Sequence, residues 1–260
     1  MKDFFTALQF LSRIQISRHK KHNWNHSTFS RSVPWFPLVG AVIGVLLAGA
    51  NILLLPYADV LLRCVLLALL EILITGGLFC DGLMDTADGI FSGRDKDRIL
   101  EIMKDSRVGA NGVIAFVVVI LLKIALYQAI EGELLTLALF AMPIVTRLAV
   151  VFAITHFKYA RVDGTGGLFT KYTEKKYAYI AFFMATMLIA VTFSPIVYSA
   201  SILCFLYCLD VSSYISKLLG GLTGDNYGFI AETGNVVFVF FIYLLLVIFN
   251  IFPGGIACLL

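Results

Sequence analysis

Long apolar stretches constrain the fold of this chain more than any other feature. Seven segments of about 20 mainly apolar residues are separated by polar connections, and a helix of about 20 such residues crosses the hydrocarbon core of a bilayer. Hydrophobic residues make up 60% of the 260 residues, and Asp, Glu, Lys and Arg together only 14%, about half the charged fraction of a typical soluble domain. The sequence therefore predicts an all-α, polytopic integral membrane protein with one membrane domain over residues 1–260.

The predicted spans follow the apolar stretches, with ends uncertain by several residues. They cover residues 34–55, 60–80, 113–130, 134–156, 177–193, 196–218 and 236–251. Only Ser194 and Pro195 separate the fifth and sixth, so these two form either a tight hairpin or one broken segment.

The N-terminal residues have a different pattern. Asp3, Gln9 and Arg13 interrupt their apolar run, and no small-residue cleavage site follows, so a signal peptide is not predicted. The apolar residues of 4–14 share one helical face, which predicts an amphipathic helix on the membrane surface, followed by a basic loop up to residue 33.

Lysine and arginine are concentrated in alternate loops. Six precede the first span, five lie between the second and third, and five between the fourth and fifth, whereas the intervening loops carry almost none. The positive-inside bias makes the basic loops cytoplasmic. Seven spans with the N-terminus in the cytoplasm satisfy this distribution, and the predicted catalytic loop, residues 81–112, then faces the cytoplasm.

Three aspartates follow the second span at positions i, i+4 and i+7. If the helix continues through them, Asp81, Asp85 and Asp88 lie within roughly a 60° arc. Three unpaired carboxylates near hydrocarbon repel one another, so a cation is expected among them. Oxygen ligands favour a hard divalent ion, and Mg²⁺ is expected where the substrate brings phosphate oxygens. A solvated turn rich in Asp and Gly is the alternative.

Other polar residues fall in the same loops and complete a predicted site. Asp225 and Glu232, again seven apart, are candidates for a second set of metal ligands beside Asp81, Asp85 and Asp88. Arginine is suited to bidentate phosphate contacts, and glycines let backbone and ligand approach closely. The candidate phosphate-binding residues are Arg94, Lys104, Arg107, Arg147 and Arg161, and the glycines are Gly164, Gly166, Gly221 and Gly224. Together they predict metal-assisted chemistry on a diphosphate at the membrane surface.

At this point the chain resembles a known family. Residues 75–89 (TGGLFCDGLMDTADG), 98–109 (RILEIMKDSRVG) and 219–228 (LGGLTGDNYG) are similar to the signatures of cobalamin synthase, the adenosylcobinamide-GDP ribazoletransferase family. Residues 5–14, 35–40 and 161–166 follow the same pattern, so the resemblance runs from residue 4 to about 235. Two positions depart from it, since Phe79 replaces a common histidine and Gln15 a usual proline.

The resemblance implies a reaction and a location. A ribose hydroxyl of α-ribazole, or of its 5′-phosphate, displaces GMP from adenosylcobinamide-GDP, with Mg²⁺ required, at a bacterial cytoplasmic (inner) membrane. Asp85 and Asp225 are then candidates for the base that takes the hydroxyl proton. Arg107 and Arg161 would orient phosphates. No nucleic acid partner is implied, and which acceptor is preferred stays open.

Two other functions are compatible with parts of the sequence. A CDP-alcohol phosphotransferase also places aspartates at a membrane helix end, but its Gly-x-x-Ala-Arg stretch is missing after Asp81. A transporter would use the charges within predicted spans, because such residues are usually functional or paired. Those charges are Glu71, Lys123, Arg147 and Asp210.

Overall fold

The structure is a computed structural model that describes residues 2–14, 26–130, 132–161 and 173–251, without the side chains of 26–28 and 249–251. Its described part is helical apart from turns and one isolated bridge, which confirms the all-α prediction. The helices are α1 (Lys2–Leu11), α2 (His26–Ser32), α3 (Phe36–Leu54), α4 (Val60–Thr75), α5 (Leu78–Ile90), α6 (Lys96–Ile102), α7 (Ala110–Ala129), α8 (Glu133–His156), α9 (Lys176–Ala190), α10 (Pro195–Leu219) and α11 (Gly224–Ile251).

Each predicted apolar stretch contains a helix. Within the described residues, five helices are long and apolar enough to cross a membrane, and six if the bent pair α4 and α5 counts as one span. Helix α9 has 15 residues, fewer than the about 20 that a perpendicular crossing needs. The polytopic character is thus confirmed, and the exact count of seven stays a prediction. Helices α9 and α10 are separate, with a turn over residues 191–194.

Helix α8 forms the centre of the bundle, and nearly all of its residues after Ala141 are buried. Its closest neighbour is α3, which approaches through Gly40 and Gly44. A Cβ atom at Gly40 would lie 2.4 Å from the carbonyl oxygen of Pro143, and one at Gly44 would lie 2.3 Å from that of Phe140. Small residues four apart let two membrane helices pack backbone to backbone, so these glycines fix the α3–α8 contact.

The second predicted span ends earlier than expected. Helix α4 stops at Thr75, because Gly76 and Gly77 both adopt positive φ, at 66° and 72°. After them α5 continues at 93° to α4. The predicted span 60–80 therefore covers two helices, and the second helix does not continue unbroken into the aspartates, since two left-handed glycines turn the chain.

The N-terminal helix α1 forms as predicted but packs against protein. Ala7, Leu8 and Leu11 are buried in the common core. After the helix, the amide of Arg13 donates to the carbonyl of Ile74 over 2.7 Å. This bond ties the N-terminal segment to the end of α4, close to the α4–α5 bend.

Helix α11 begins about 12 residues before the predicted span 236–251. Its first turns carry Asp225, Asn226, Glu232 and Asn235, which hide the helix from a hydropathy scan. Apart from Asp225, these side chains are almost completely buried, because they have polar partners inside the bundle.

Candidate functional site

Helix α5 lies across one end of the bundle and carries the predicted aspartates. It contacts the first turns of α11 so closely that a Cβ atom at Gly82 would lie 2.5 Å from the carbonyl oxygen of Asp225. The side chain of Asn226 donates to the hydroxyl of Thr86 over 3.1 Å. This contact brings Asp225 beside the aspartates of α5. Most of the predicted catalytic loop, residues 81–112, is helical, since it contains parts of α5, α6 and α7.

Two of the three aspartates on α5 are accessible. Asp81 is exposed and Asp85 is half-buried. Burial, reinforced by the negative charges of Asp81, Asp225 and Asp88, raises the pKa of Asp85 to about 7. A carboxyl group with so high a pKa lacks sufficient positive charge nearby, which is the condition that a bound cation would relieve.

The third aspartate serves another helix. Asp88 accepts hydrogen bonds from the backbone amides of Gly109 and Gly112, each over 2.7 Å. Gly109 is the N-cap residue of α7 and Gly112 lies in its first turn, where a helix end stabilises negative charge. Asp88 therefore caps α7 with both of its oxygens. This placement does not match its predicted role as a metal ligand.

Asp225 is held by Arg161, which comes from a different part of the chain. The guanidinium of Arg161 donates to Asp225 over 3.0 Å and also contacts the carbonyl of Met103 at 3.4 Å. A backbone bridge between Tyr159 and Leu222 brings the two segments together. The structure thus joins two predicted site residues directly.

Glu232 lies elsewhere. Seven residues further along α11 place it about 10 Å deeper in the bundle, where it accepts a 2.9 Å hydrogen bond from Lys123. Lys123 also contacts Glu71 at 3.0 Å, and Asn235 donates to Glu71 over 2.8 Å. The prediction that Glu232 joins the metal ligands is therefore not matched by its position, because it neutralises a buried lysine.

The other charges predicted within spans do not form one path. Arg147 is completely buried near this cluster, with its guanidinium carbon 4.9 Å from the centre of the Phe79 ring. Phe79 is the residue that replaces the common histidine. Asp210 lies exposed on α10. The paired Glu71 and Lys123 are typical of a structural ion pair.

Three predicted phosphate-binding residues are exposed and are not in the carboxylate group. Arg94 and Lys104 are exposed in the connections on either side of α6. Arg107 is exposed and bonds to Asp105 over 2.7 Å. Hydrogen bonds from Arg107 lower the pKa of Asp105 to about 2. In the described arrangement Arg107 therefore contacts its own loop, and its predicted catalytic role stays a prediction.

The predicted glycines divide into three groups. Gly221 allows the backbone bridge, since a Cβ atom there would lie 2.6 Å from the carbonyl oxygen of Lys158. Gly224 lines a cavity together with Asp225. Gly164 and Gly166 lie outside the described residues.

Two cavities meet at Asp81. The larger, an open groove of about 540 Å³, has mixed polar and apolar walls, and its polar residues include Ser12, Arg13 and Thr75. The smaller, of about 180 Å³, is more enclosed and reaches Gly82 and Asp225. Asp81 lines both, so a reaction at this carboxylate has room for one ligand on each side.

The carboxylates fit a magnesium ion that is completed by substrate. No three His, Cys, Asp or Glu side chains in the described ranges are arranged to hold a metal by themselves. Mg²⁺ commonly takes only one or two carboxylates and fills its remaining positions with water and substrate phosphates. Asp81 and Asp225, which come from two helices, would supply such a partial set, with Asp85 beside them.

Several site residues gave little signal in the sequence. Tyr227 lines the smaller cavity, yet the sequence places it only within the segment 219–228, between two predicted spans, and gives it no role. Asn226 looks like a loop residue, although its side chain accepts from the amide of Thr223 over 2.8 Å and fastens α11 to α5. Gly82 and Gly228 are in close contact in the fold, where a Cβ atom at Gly82 would lie 3.1 Å from the Cα atom of Gly228. Nothing in the sequence indicates this contact.

The chain matches known proteins over most of its length. The family model described as cobalamin-5-phosphate synthase matches residues 3–243. A curated adenosylcobinamide-GDP ribazoletransferase from Desulfitobacterium hafniense (strain Y51) is 36% identical, covering 92% of this chain and 95% of the relative. Those from Alkaliphilus oremlandii (strain OhILAs) and Klebsiella pneumoniae (strain 342) are 35% and 34% identical, covering 94% and 92% of this chain and 98% of each relative.

No solved structure matches the chain. The family model nevertheless covers both α5 and the first turns of α11, the two elements that bring the carboxylates together. The match extends over almost the whole chain. This chain belongs to the cobalamin-5-phosphate synthase family.

Proposed function

We propose that this protein transfers the adenosylcobinamide phosphate group from adenosylcobinamide-GDP to α-ribazole or its 5′-phosphate and releases GMP. The observation that carries the proposal is the convergence of Asp81, Asp85 and Asp225 beside Arg161, in a chain of this family. A diphosphate is the substrate group that such a set of carboxylates and one guanidinium can bind through a divalent cation.

In the proposed step, a ribose hydroxyl oxygen forms a bond to the phosphorus on the cobinamide side of the diphosphate. The bond from that phosphorus to the bridging oxygen breaks, and GMP leaves with the electron pair. Mg²⁺, when bound, supplies neutralisation of the diphosphate and of the leaving GMP. Arg161 holds Asp225 in place and offers its remaining donors to phosphate oxygens.

Asp85 is our candidate for the group that takes the hydroxyl proton. It lies beside Asp81 and Asp225, and without a bound cation its pKa is about 7. Because a bound cation would lower that pKa, this role needs Asp85 to stand beside the metal ligands and not among them. Asp225 is the second candidate predicted from the sequence, but its bond to Arg161 favours a role in binding. Asp81 is exposed and lines both cavities. We assign it to the metal as a ligand.

We further propose that the site faces the cytoplasm of a bacterial inner membrane. The support is the charge of the surrounding segments. Arg94, Lys104, Arg107 and Arg161 all lie in the connections at the α5 end of the bundle, and basic loops stay on the cytoplasmic side.

The test is the reaction itself in detergent or liposomes. Purified protein is incubated with adenosylcobinamide-GDP, α-ribazole and Mg²⁺, and GMP and the corrinoid product are quantified. Asp85→Asn should lower the rate by about 10²-fold or more, the usual range for a lost general base. Asp210→Asn is the matched control, because it removes an exposed carboxylate from α10. Equal rates for the two variants would remove Asp85 from the mechanism.

A further inference from the structure

The larger groove lies at the bend between α4 and α5. Its walls come from α1 and the segment after it, the end of α4, the first turns of α5, and α7. It measures about 540 Å³, within the range of about 300–1,000 Å³ that is typical of small-molecule sites. Asp81, which we assign to the metal, lines the groove. A ligand bound there therefore lies beside the proposed reaction site.

One cation lines this groove. Arg13 is the only lysine or arginine among the described residues that form its walls. Its side chain is exposed and has no hydrogen bond or ion pair within the part of the chain that the structure describes. Arg161 and Arg107, by contrast, each contact an aspartate. All guanidinium donors of Arg13 are therefore available to an anion in the groove.

The fold holds Arg13 against the wall of the groove. Its backbone amide is fixed to Ile74, as described above. Its side chain lies over Gly76, where a Cβ atom would overlap the Nε atom of Arg13 and lie 2.8 Å from its Cγ atom. Gly76 lines the groove as well. The guanidinium thus lies along the groove wall, in a place that exists because residue 76 has no side chain.

The position of Arg13 relative to Asp81 suits a diphosphate. Asp81 follows Gly77 by four residues, which is one helical turn or about 6 Å along the axis of α5. A metal ion on Asp81 and the guanidinium over Gly76 can then contact neighbouring phosphate groups of one ligand. The metal neutralises the phosphate that is attacked. The other phosphate gains negative charge as the bridging bond breaks, and a guanidinium stabilises such charge.

We propose that the larger groove is the subsite for the nucleotide half of the donor substrate, with Arg13 binding the phosphate on the guanosine side. The inference rests on the proposed function, since that phosphate leaves with GMP. Phe10 and Phe116 also line the groove and offer apolar surface to the guanine base. In the sequence Arg13 only interrupts an apolar run, because its contact with the α4–α5 bend exists only in the fold.

The experiment compares GMP with guanosine, which lacks the phosphate. Equilibrium dialysis of the full-length protein, in an uncharged detergent with Mg²⁺, measures the Kd of each. Arg13→Ala should raise the Kd for GMP by roughly 10- to 100-fold, the effect of losing a hydrogen bond between charged groups, and should leave that for guanosine unchanged. Arg13→Lys should fall between, because it keeps the charge without the bidentate fork. Arg31→Ala, which removes an exposed arginine 3.9 Å from Asp3, is the matched control and should change neither Kd.

Two glycine variants test the position of the guanidinium. Gly76→Ala should displace it, whereas a Cβ atom at Gly77 meets no atom within 4 Å. Both glycines have positive φ, at 66° and 72°, so Gly77→Ala carries the same backbone strain without the displacement. Gly76→Ala should raise the Kd for GMP more than Gly77→Ala, and this difference should vanish when Arg13→Ala is added. If the glycine variants do not fold, the comparison of Arg13→Ala with wild type decides.

Three results would overturn the subsite. They are an equal Kd for GMP in Arg13→Ala and wild type, a wild-type protein that binds GMP no better than guanosine, and displacement of GMP from wild type by phosphatidylglycerol added to the micelles. The last would assign the groove to a lipid phosphate. In turnover, Arg13→Ala should lower kcat/KM for adenosylcobinamide-GDP and leave the KM for α-ribazole unchanged. A wild-type protein that binds GMP through Arg13 but releases none from the donor would refute the proposed function and not the subsite, so the two failures are distinguishable.

Discussion

Arg161 donates a hydrogen bond to Asp225 over 3.0 Å, although the two residues are 64 positions apart. The pair is mostly buried, with side-chain exposures of 14% and 25%. The bond joins the segment after α8 to the first turn of α11. It also places a guanidinium among three carboxylates that would otherwise repel one another.

This pair gives the first prediction. Arg161→Ala should lower kcat/KM by about 10- to 100-fold, because a hydrogen bond to a charged group contributes about 1.5–3 kcal/mol. Combining it with Asp225→Asn should give less than the product of the two single effects, since both changes break one interaction. Arg98→Ala, which removes an exposed arginine paired with Glu101, is the control. Fully multiplicative effects would show that the pair does not act as a unit.

The second prediction separates Asp88 from its neighbours. Asp88→Asn weakens the cap of α7 and should lower the free energy of unfolding by about 1–2 kcal/mol. Asp81→Asn changes an exposed residue and should lower activity with little effect on stability. Chemical denaturation in detergent measures both variants. The opposite pattern, with an inert Asp88 variant and an unstable Asp81 variant, would contradict the assignment.

The third prediction concerns pH. The pKa of Asp85 is about 7 in the fold and near its ordinary value of 3.8 when the chain is unfolded. Between about pH 4 and pH 7 the folded state holds more protons, so the Asp85 contribution to stability is present at low pH and is lost as pH rises. Asp85→Asn should therefore unfold at a higher temperature than wild type at pH 8, in the absence of Mg²⁺.

Below about pH 3.8 the two proteins should differ least, because Asp85 is then protonated in both the folded and the unfolded state. The gain at pH 8 should be on the order of 1 kcal/mol once solvent screening of a half-exposed group is included. A difference that does not vary with pH would show that Asp85 does not carry the raised pKa.

The fourth prediction tests the buried charge cluster. Lys123→Met leaves Glu71 and Glu232 without their cation and should destabilise the protein by about 3–5 kcal/mol. Adding Glu232→Gln should recover part of this loss, because one of the buried negative charges is then removed. Thermal unfolding of the single and double variants measures the recovery. A double variant less stable than Lys123→Met would contradict the pairing.

The sequence predicted the helical bundle because apolar length is a local property. It could not show where buried polar residues find partners. Glu232 and Asn235 read as polar interruptions, yet their contacts with Lys123 and Glu71 allow α11 to begin at Gly224. The sequence contains the glycine pair Gly76 and Gly77. Their left-handed conformation and the resulting bend depend on the surrounding fold.

The candidate site was predicted only in part for the same reason. Helical periodicity correctly grouped Asp81 and Asp85 with one another. It could not show that Asp88 turns to the first amides of α7, because that contact is made across 21 and 24 residues. The Arg161–Asp225 pair likewise depends on a bridge between distant segments.

The central claim is tested most directly by the stoichiometry of the reaction. Wild-type protein with adenosylcobinamide-GDP, α-ribazole and Mg²⁺ should release one GMP for each adenosylcobalamin formed, as measured by chromatography of both products. Chelation of Mg²⁺ should stop both together, and restoring Mg²⁺ should restart them. Folded protein that forms no cobalamin product with all three components present, or that forms it at the same rate after chelation, would contradict the account.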